Sequence, residues 1–170
     1  MEFLDLVKQR KSIRKYVQCD INKSDIDEII RCAQMAPSWK NSQTGRYYVA
    51  YSEEACKAVF DALPDFNQNN SKNARYIVST FKKGISGNPS LEGDMWGSYD
   101  LGLQNAYLVL MAKQMGYDTL IMGLRDVEAL RKYFDIPEDE IIMPVIALGK
   151  ADQDPVSRPR KEINEILKIF

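Results

Sequence analysis

A chain of 170 residues, of which 45% are apolar and 28% charged, is long enough to form one domain with a substantial core. Its 23 lysines and arginines balance 24 acids, and the net charge of −1 argues against a nucleic-acid-binding surface or a binder of anionic membranes. The sequence has no histidine, which excludes Ser-His-Asp and Cys-His catalysis and histidine-bound zinc. If the protein is an enzyme, we expect a bound molecule to supply much of the chemistry.

The cysteines and the N-terminus bear on the cellular compartment. Cys19, Cys32 and Cys56 form no C-x-x-C pair and are odd in number, so we expect neither a disulfide framework nor a metal site. No apolar run approaches the length of a transmembrane helix, and the first five residues contain acids and no signal-peptide core. These patterns predict a cytoplasmic protein that binds neither a membrane nor nucleic acid.

The first predicted element is a helix over residues 2–10, and the basic segment 10–14 follows it. In an extended chain alternate side chains share a side, so Arg10, Ser12 and Arg14 would converge, whereas a helix would turn Ser12 away. Two guanidinium groups and a hydroxyl suit the oxygens of a phosphate. The alternative is a solvated basic segment, which is favourable at the C-terminal end of a helix.

A second helix is predicted to begin at a capping-box pattern, Ser24 with Asp27, and to end before Pro37. The polar loop that follows carries Asn41 and Gln43, whose amides both donate and accept hydrogen bonds. The pyrimidine edge of a flavin, with carbonyl acceptors beside an N–H donor, needs that mixture. The alternative is that these polar residues only form turns.

The rest of the chain predicts a sheet with helices. Short β-branched and aromatic runs bounded by turn residues indicate four strands, at 46–51, 76–81, 117–122 and 141–148. The last of these is apolar enough to be central in the sheet. Shorter helices are predicted over about 53–63 and 127–134, and loops over 65–73 and 82–95. Because strands and helices do not alternate cleanly, the predicted class is α+β.

The longest predicted helix runs from Trp96 to Met115, and Gly116 is its natural C-cap. Its apolar positions go most of the way round, which is typical of a buried helix. Asp100, near its start, is explained by the helix dipole. Gly102 costs about 1 kcal/mol relative to alanine inside a helix, which suggests close packing, for example at a subunit interface.

The C-terminal tail combines charge with an apolar end. Arg158 and Arg160 could reach the same anion as residues 10–14 after folding, or they could belong to an exposed charged tail. The apolar run over 163–170 predicts packing on the protein's own core or on a partner subunit. Two glycines that precede the tail, Gly123 and Gly149, each follow a predicted strand. They either allow the ring of a bound molecule to approach the backbone or form ordinary turns.

Taken in order, these patterns closely resemble the FMN-dependent nitroreductase family, of which this chain looks like a short member. The resemblance runs through nearly the whole chain and is weakest from about residue 64 to 95. It is carried by Arg10-x-Ser12-x-Arg14-x-Tyr16, Ala36-Pro37-Ser38-x-x-Asn41-x-Gln43, Asp100-x-Gly102, Gly116, Gly123 and Arg158-Pro159-Arg160.

The resemblance implies a single nitroreductase-like domain over residues 1–170. Its α+β fold would have a central, mostly antiparallel sheet of four to five strands flanked by helices. The long buried helix would lie at the interface of a homodimer, and the tail from about residue 151 would embrace the partner subunit. Two FMN molecules would lie at that interface, each contacted by both chains.

The resemblance also implies which residues bind the cofactor. The phosphate and adjoining parts of FMN would be held by Arg10, Lys11, Ser12 and Arg14, joined at the phosphate by Arg158 and Arg160. A loop of the partner chain would reach the flavin with Pro37, Ser38 and Asn41, and Gln43 is a further candidate. The segment near the ring would be Ile121, Met122 and Gly123.

The function implied is that of an FMN-dependent NAD(P)H oxidoreductase. NADH or NADPH would reduce FMN, and a nitroaromatic, quinone or related conjugated acceptor would be reduced in turn by ping-pong hydride transfer. No side chain is required as a catalytic base, and donors near the flavin would be backbone N–H groups or Lys11 and Lys40.

Other functions remain open at this level. The same fold could serve a reductive dehalogenase-like or flavin-consuming enzyme, a non-catalytic flavin-binding or regulatory module, or an anion-binding domain without flavin. Many family members have Pro-Trp where this chain has Thr44-Gly45, and residues 82–95 lack a recognisable family lid. The resemblance therefore does not identify the acceptor or the preferred nicotinamide donor.

Overall fold

A computed structural model describes residues 2–170. In this part of the chain the helices are α1 (Phe3–Gln9), α2 (Lys23–Gln34), α3 (Glu53–Asp61), α4 (Asp65–Asn69), α5 (Pro89–Glu92), α6 (Met95–Gln114), α7 (Val127–Phe134) and α8 (Ile163–Ile166). The strands are β1 (Tyr16–Val17), β2 (Gly45–Ala50), β3 (Arg75–Lys82), β4 (Asp118–Met122) and β5 (Glu140–Ala151).

The five strands form one sheet around β5. β5 pairs with β3 along one edge and with β4 along the other, its last two residues pair with β1, and β2 lies outside β3. Every one of these strand pairings is antiparallel. The prediction of an α+β fold with an antiparallel sheet is confirmed, and the strand predicted to be central is β5.

Helices cover both faces of the sheet. On one face α3 and α7 pack over a core that includes Tyr76 and Val78 of β3. On the other face α2 and α6 pack over Ile77, which lies between Tyr76 and Val78 in β3. This follows from the period of two along a strand, which sends successive side chains to opposite faces. The buried residues of α2 recur at helical spacing, at Ile26, Ile29 and Ala33.

One side of α6 remains exposed, although the sequence predicts burial on most sides. Eight of its residues are buried, among them Leu101, Leu108 and Ala112. Gly102 and Tyr107, by contrast, are exposed. A helix that is apolar on most sides yet open on one presents a surface suited to a further partner.

The capping box predicted at Ser24 does not form. α2 begins at Lys23 with Asn22 as its N-cap, and the N-cap side chain makes no hydrogen bond. The backbone carbonyl of Asn22 instead accepts the N–H groups of Asp25 and Ile26, at 3.1 and 3.2 Å. The N-cap therefore lies two residues earlier than the side-chain pattern indicates.

The prediction of a loop over 65–73 is wrong at its start, where α4 forms. Gln68 donates through Nε2 to the carbonyls of Phe60 and Leu63, at 3.0 and 2.8 Å, and Asn67 donates through Nδ2 to Leu124 O at 2.9 Å. These contacts with distant segments stabilise a helical turn that an Asn-rich run does not indicate on its own. No helix within residues 2–170 has the length and apolar character needed to cross a membrane.

Candidate functional site

The basic segment is extended and attached to the edge of the sheet. Ser12 forms a parallel bridge with Thr119 of β4, and Ile13 N–H donates to Thr119 O at 3.1 Å. Ile13 is 3% exposed and belongs to the core, so its neighbours Ser12 and Arg14 point to the opposite side. Of the two conformations weighed from the sequence, the extended one is observed.

Arg10 opens onto a groove between α6 and the sheet. The groove has a volume of about 420 Å³, and its lining includes Arg10, Leu101, Asn105, Ile121 and Met143. This volume falls within the range of about 300–1,000 Å³ that is usual for small-molecule sites. Two of the segments that the sequence assigned to one ligand, around Arg10 and around Ile121, therefore meet in one largely apolar groove.

Asn105 belongs to the lining of this groove and carries an unpaired acceptor. Its Nδ2 donates to Ser79 Oγ at 3.2 Å, and that hydroxyl donates to Pro144 O at 3.1 Å. The hydroxyl proton is thereby committed, which orients the amide. Asn105 Oδ1 is buried and has no hydrogen-bond partner within residues 2–170. Because an unpaired buried acceptor costs about 1–3 kcal/mol, the groove is suited to a ligand that donates an N–H or O–H.

Arg125 organises the turn after β4, next to the segment 121–123. Its guanidinium donates to Gly123 O and to Ile142 O, which ties the turn to β5. Partial burial lowers the pKa of Arg125, although the guanidinium stays charged. A Cβ added at Gly123 would meet nothing within 4 Å, so the space beside this residue is open.

Gly149 does not provide such open space. It lies within β5, and a Cβ added there would come within 2.9 Å of Cδ1 of Tyr16. The glycine therefore accommodates the ring of a core tyrosine. The interpretation of Gly149 as a place for a bound ring is wrong.

The loop that follows α2 has an unusual backbone. Lys40, Asn41 and Gln43 have φ values of 46°, 56° and 47°, in the left-handed region that residues with a side chain seldom adopt. Gln43 N–H donates to Ser38 Oγ at 3.0 Å. Pro37, Asn41 and Gln43 are exposed and Ser38 is half-buried. Among the described residues none of these four lines the groove of the same chain.

The departure from the family pattern at Thr44-Gly45 has a steric basis. Thr44 is fully buried, and its hydroxyl donates to Lys82 O at 2.8 Å. A Cβ on Gly45 would lie 1.8 Å from Oε1 of Gln104, a buried residue of α6. A tryptophan at position 45 is therefore incompatible with the position of Gln104.

The tail begins beside the basic segment and then leaves the protein surface. Lys11 Nζ lies 2.7 Å from Asp154 Oδ1, and Asp152 N–H donates to Lys15 O at 2.9 Å. The Lys11 ammonium holds the pKa of Asp154 below its usual range. Lys11, one of the predicted phosphate ligands, is therefore already paired with a carboxylate.

Further along, every residue from 156 to 170 is exposed. Arg158 and Arg160 make no side-chain hydrogen bond or ion pair within the described part of the chain, so one chain leaves both guanidinium groups available. The apolar end, including Ile166 and Phe170, is likewise exposed and does not pack on the protein's own core.

Three residues shape this region in ways that the sequence did not indicate: Asn105, Arg125 and Asp100. Asp100 is 1% exposed and accepts hydrogen bonds from the loop after α2, which the helix dipole alone does not explain. Asp100 belongs to a motif of the family resemblance, but no sequence signal indicates the contacts of these three residues, because most of their partners lie in segments distant in the chain.

Comparison with known proteins identifies the family to which this chain belongs. The model of the Nitroreductase family matches residues 7–90 and 88–150. A protein of Archaeoglobus fulgidus, provisionally named NADH dehydrogenase/NAD(P)H nitroreductase, is 29% identical over 152 residues, which cover 87% of this chain and 84% of that protein. The provisionally named NAD(P)H nitroreductase YodC of Bacillus subtilis is 28% identical over 180 residues, covering 87% and 89%.

Solved structures agree with these relatives. A provisionally named nitroreductase from Exiguobacterium sibiricum, in complex with FMN, has a TM-score of 0.88 at 25% identity and covers 100% of this chain and 98% of its own. A nitroreductase family protein from Clostridium novyi has a TM-score of 0.80 at 26% identity, covering 89% and 87%. From the family match, the fold and the agreement along the chain, we conclude that this protein belongs to the nitroreductase family.

Proposed function

We propose that this protein is an FMN-dependent NAD(P)H oxidoreductase that reduces a small conjugated acceptor, such as a nitroaromatic or a quinone. The observation that carries the proposal is the groove lined by Arg10, Ile121 and Asn105, whose buried Oδ1 is unpaired in the described chain. The groove combines a cation, an apolar wall and a hydrogen-bond acceptor. Family membership and the FMN-bound relative of the same fold support this ligand.

The chemistry of the groove fits FMN. A flavin ring is flat and largely apolar, and its pyrimidine edge carries one N–H donor between carbonyl groups. Leu101, Ile121 and Met143 provide an apolar wall, and Asn105 Oδ1 provides an acceptor that lacks a donor in the described chain. The phosphate is dianionic, and Arg10 provides a guanidinium at the same groove.

The remaining predicted ligands extend this site. Arg14 and Ser12, extended along β4, would join Arg10 at the phosphate. Lys11 would have to exchange its pairing with Asp154 to do the same. Met122 and Gly123 would lie near the ring, where Gly123 leaves open space.

The proposal includes a homodimer. The exposed side of α6 carries Gly102 and Ala106, and small residues allow a second helix to approach closely. The loop that carries Ser38 and Asn41 does not line the groove of its own described chain, so a partner copy would bring it to the flavin. The tail, with Arg158, Arg160 and an exposed apolar end, would lie on the partner and join at the phosphate.

In the proposed reaction the cofactor would carry the electrons, and the protein chain would bind and orient the cofactor. FMN held in the groove would supply the redox chemistry, hydride transfer between NADH or NADPH and the acceptor. Arg10 and Arg14 bind the phosphate charge, Asn105 fixes the orientation of the pyrimidine edge, and the apolar wall keeps water from the ring. Because the sequence has no histidine, protons are assigned to water, and no side chain is a catalytic base.

An anaerobic titration tests the proposal. We expect the purified protein to be yellow, its visible flavin band to bleach on addition of NADH or NADPH, and the band to return when a quinone or nitroaromatic is added. The nicotinamide that bleaches it faster identifies the preferred donor. A colourless protein with no affinity for added FMN would refute the proposal in favour of an anion-binding domain. A flavin that neither nicotinamide reduces would indicate a non-catalytic binding module.

Sedimentation of the same sample tests the homodimer. We expect twice the mass of a 19.5 kDa chain, and a monomer that retains FMN would contradict the contribution of a partner copy.

A further inference from the structure

We propose that Asp100 is a positioning residue, which holds the loop 38–43 in the one backbone conformation that can contact the flavin of the partner protomer. This inference rests on the proposed function and deepens it. It concerns a buried carboxylate that touches neither the groove nor the basic segment in the described chain.

The loop does not favour this conformation by itself. Lys40, Asn41 and Gln43 all have positive φ, and none of them is glycine. Left-handed backbone is unfavourable for residues with a Cβ, and several such residues close together persist only when surrounding contacts determine their conformation. Within the loop, Asn41 N–H donates to Ser38 O at 3.0 Å, Ser42 N–H to Trp39 O at 2.9 Å and Gln43 N–H to Ser38 Oγ at 3.0 Å. These bonds close turns inside the loop but do not attach it to α6.

Asp100 supplies contacts on either side of the strained residues. Its carboxylate accepts the N–H of Trp39 at 3.0 and 3.2 Å and the hydroxyl of Ser42 at 3.2 Å. Trp39 precedes Lys40 and Ser42 follows Asn41, so the carboxylate holds both ends of the left-handed pair. Hydrogen bonds to an ionised acceptor are about twice as strong as neutral ones.

The same carboxylate reaches a second loop. Ser86 Oγ donates to it at 2.5 Å, from the segment that joins β3 to α6. The ring of Trp39 packs on that of Trp96, with 4.8 Å between the centroids. Asp100 thus joins the loop 38–43 to the segment between β3 and α6. All of its side-chain hydrogen-bond partners in the described chain lie outside the α-helices and strands.

A second buried carboxylate offers a matched comparison. Glu140 is 6% exposed and accepts the hydroxyls of Tyr48, at 3.0 Å, and Thr80, at 2.5 Å. Both partners are strand residues, on the sheet face that packs against α3 and α7. Replacing Glu140 by glutamine should therefore destabilise the fold without moving the loop 38–43.

The experiment compares Asp100→Asn with Glu140→Gln in the full-length protein. Trp39 N–H and both serine hydroxyls donate to Oδ2, and Trp39 N–H also reaches Oδ1. Asparagine retains the shape of the side chain but removes the charge of the acceptor, and an NH2 group in place of Oδ1 would face the Trp39 N–H, which is also a donor. We expect the FMN dissociation constant of Asp100→Asn to rise by about ten-fold or more, with an altered visible circular dichroism of the bound flavin. Glu140→Gln should lower the melting temperature yet change the dissociation constant by no more than about two-fold.

Two further variants keep the test decisive if Asp100→Asn does not fold. Ser42→Ala and Ser86→Ala each remove one hydrogen bond and leave the carboxylate in place. Their combination should weaken FMN binding in the same direction, and an unchanged dissociation constant and dichroism would overturn the inference. If wild-type protein binds FMN and folded Asp100→Asn binds it equally well, this inference alone is overturned. Wild-type protein without affinity for FMN would overturn the proposed function and this inference with it.

Discussion

The two arginine-bearing segments, at opposite ends of the chain, are held by the fold in very different ways. Residues 10–14 are fixed along β4 by the bridge between Ser12 and Thr119 and by the burial of Ile13. Arg158 and Arg160 lie in a tail that is exposed from residue 156 onward. For the anion binding proposed above, the first pair starts from a backbone that is already fixed, whereas ordering the exposed second pair costs conformational entropy.

This contrast predicts that the two pairs contribute unequally to the same phosphate. A preorganised guanidinium retains most of the free energy of its contact. A mobile one loses part of that free energy to ordering its own side chain and backbone. The following predictions test the difference, beginning with the largest effect.

Replacing Arg10 and Arg14 together by alanine should release FMN. Two charge-assisted contacts of about 1.5–3 kcal/mol each are lost. The dissociation constant should therefore rise by at least about a hundred-fold, measured by flavin fluorescence quenching. The matched control is Lys8→Ala with Lys15→Ala, which removes two exposed charges beside the same segment. Unchanged flavin content in the arginine variant would contradict the assignment of the basic segment.

Replacing Arg158 and Arg160 together by alanine should have a smaller effect in the same assay. Ordering each side chain costs about 0.5–1.5 kcal/mol, which offsets part of each contact, so we expect a rise of about ten-fold. Lys161→Ala with Lys168→Ala is the control, because it removes the same charge from the same tail. A loss as large as that of the Arg10 and Arg14 variant would reverse the comparison.

The smallest predicted effect is a pH dependence of the tail. Because Lys11 lowers the pKa of Asp154, the ion pair stabilises the attached tail above the unfolded-state pKa of about 3.9 and ceases to do so as the pH falls through the lower folded-state value. Backbone amide relaxation by NMR should show residues 152–156 becoming more mobile between pH 7 and pH values below about 3.

At pH 7 the variant Asp154→Asn should reproduce the mobility that the wild-type tail shows in acid. The carboxylate is exposed, so high salt should weaken the pair as well. Tail mobility that is the same at both pH values, and the same in the variant, would show that Lys11 does not hold this segment.

Much of the secondary structure could be predicted from local patterns. The helix predicted over 127–134 is α7 with the same bounds, and the four predicted strands correspond to β2, β3, β4 and β5. The prediction was wrong at α4, where side-chain hydrogen bonds to the carbonyls of Leu124 and Phe60 stabilise a helical turn. It was also wrong at α5, which lies within the predicted loop 82–95. It also lacked β1, because a two-residue strand leaves no periodic pattern to detect.

The candidate site was predictable only in part. Alternation within residues 10–14 indicated an extended basic segment, and the resemblance to the family brought Ile121 to the same ligand. The roles of Asn105 and Asp100 were not predictable. Both are polar residues on the buried side of α6, and their hydrogen-bond partners lie on β3 and in two loops.

The amino-acid sequence by itself determined the periodic elements, the α+β class, the charge of the basic segment and the absence of histidine chemistry, because each depends only on composition or near neighbours. The tertiary structure alone decided which polar atoms remain unpaired, which carboxylate holds the strained loop and which arginines are fixed. These properties depend on how separate segments dock, and docking is set by packing across the sheet, which spacing along the chain does not reveal.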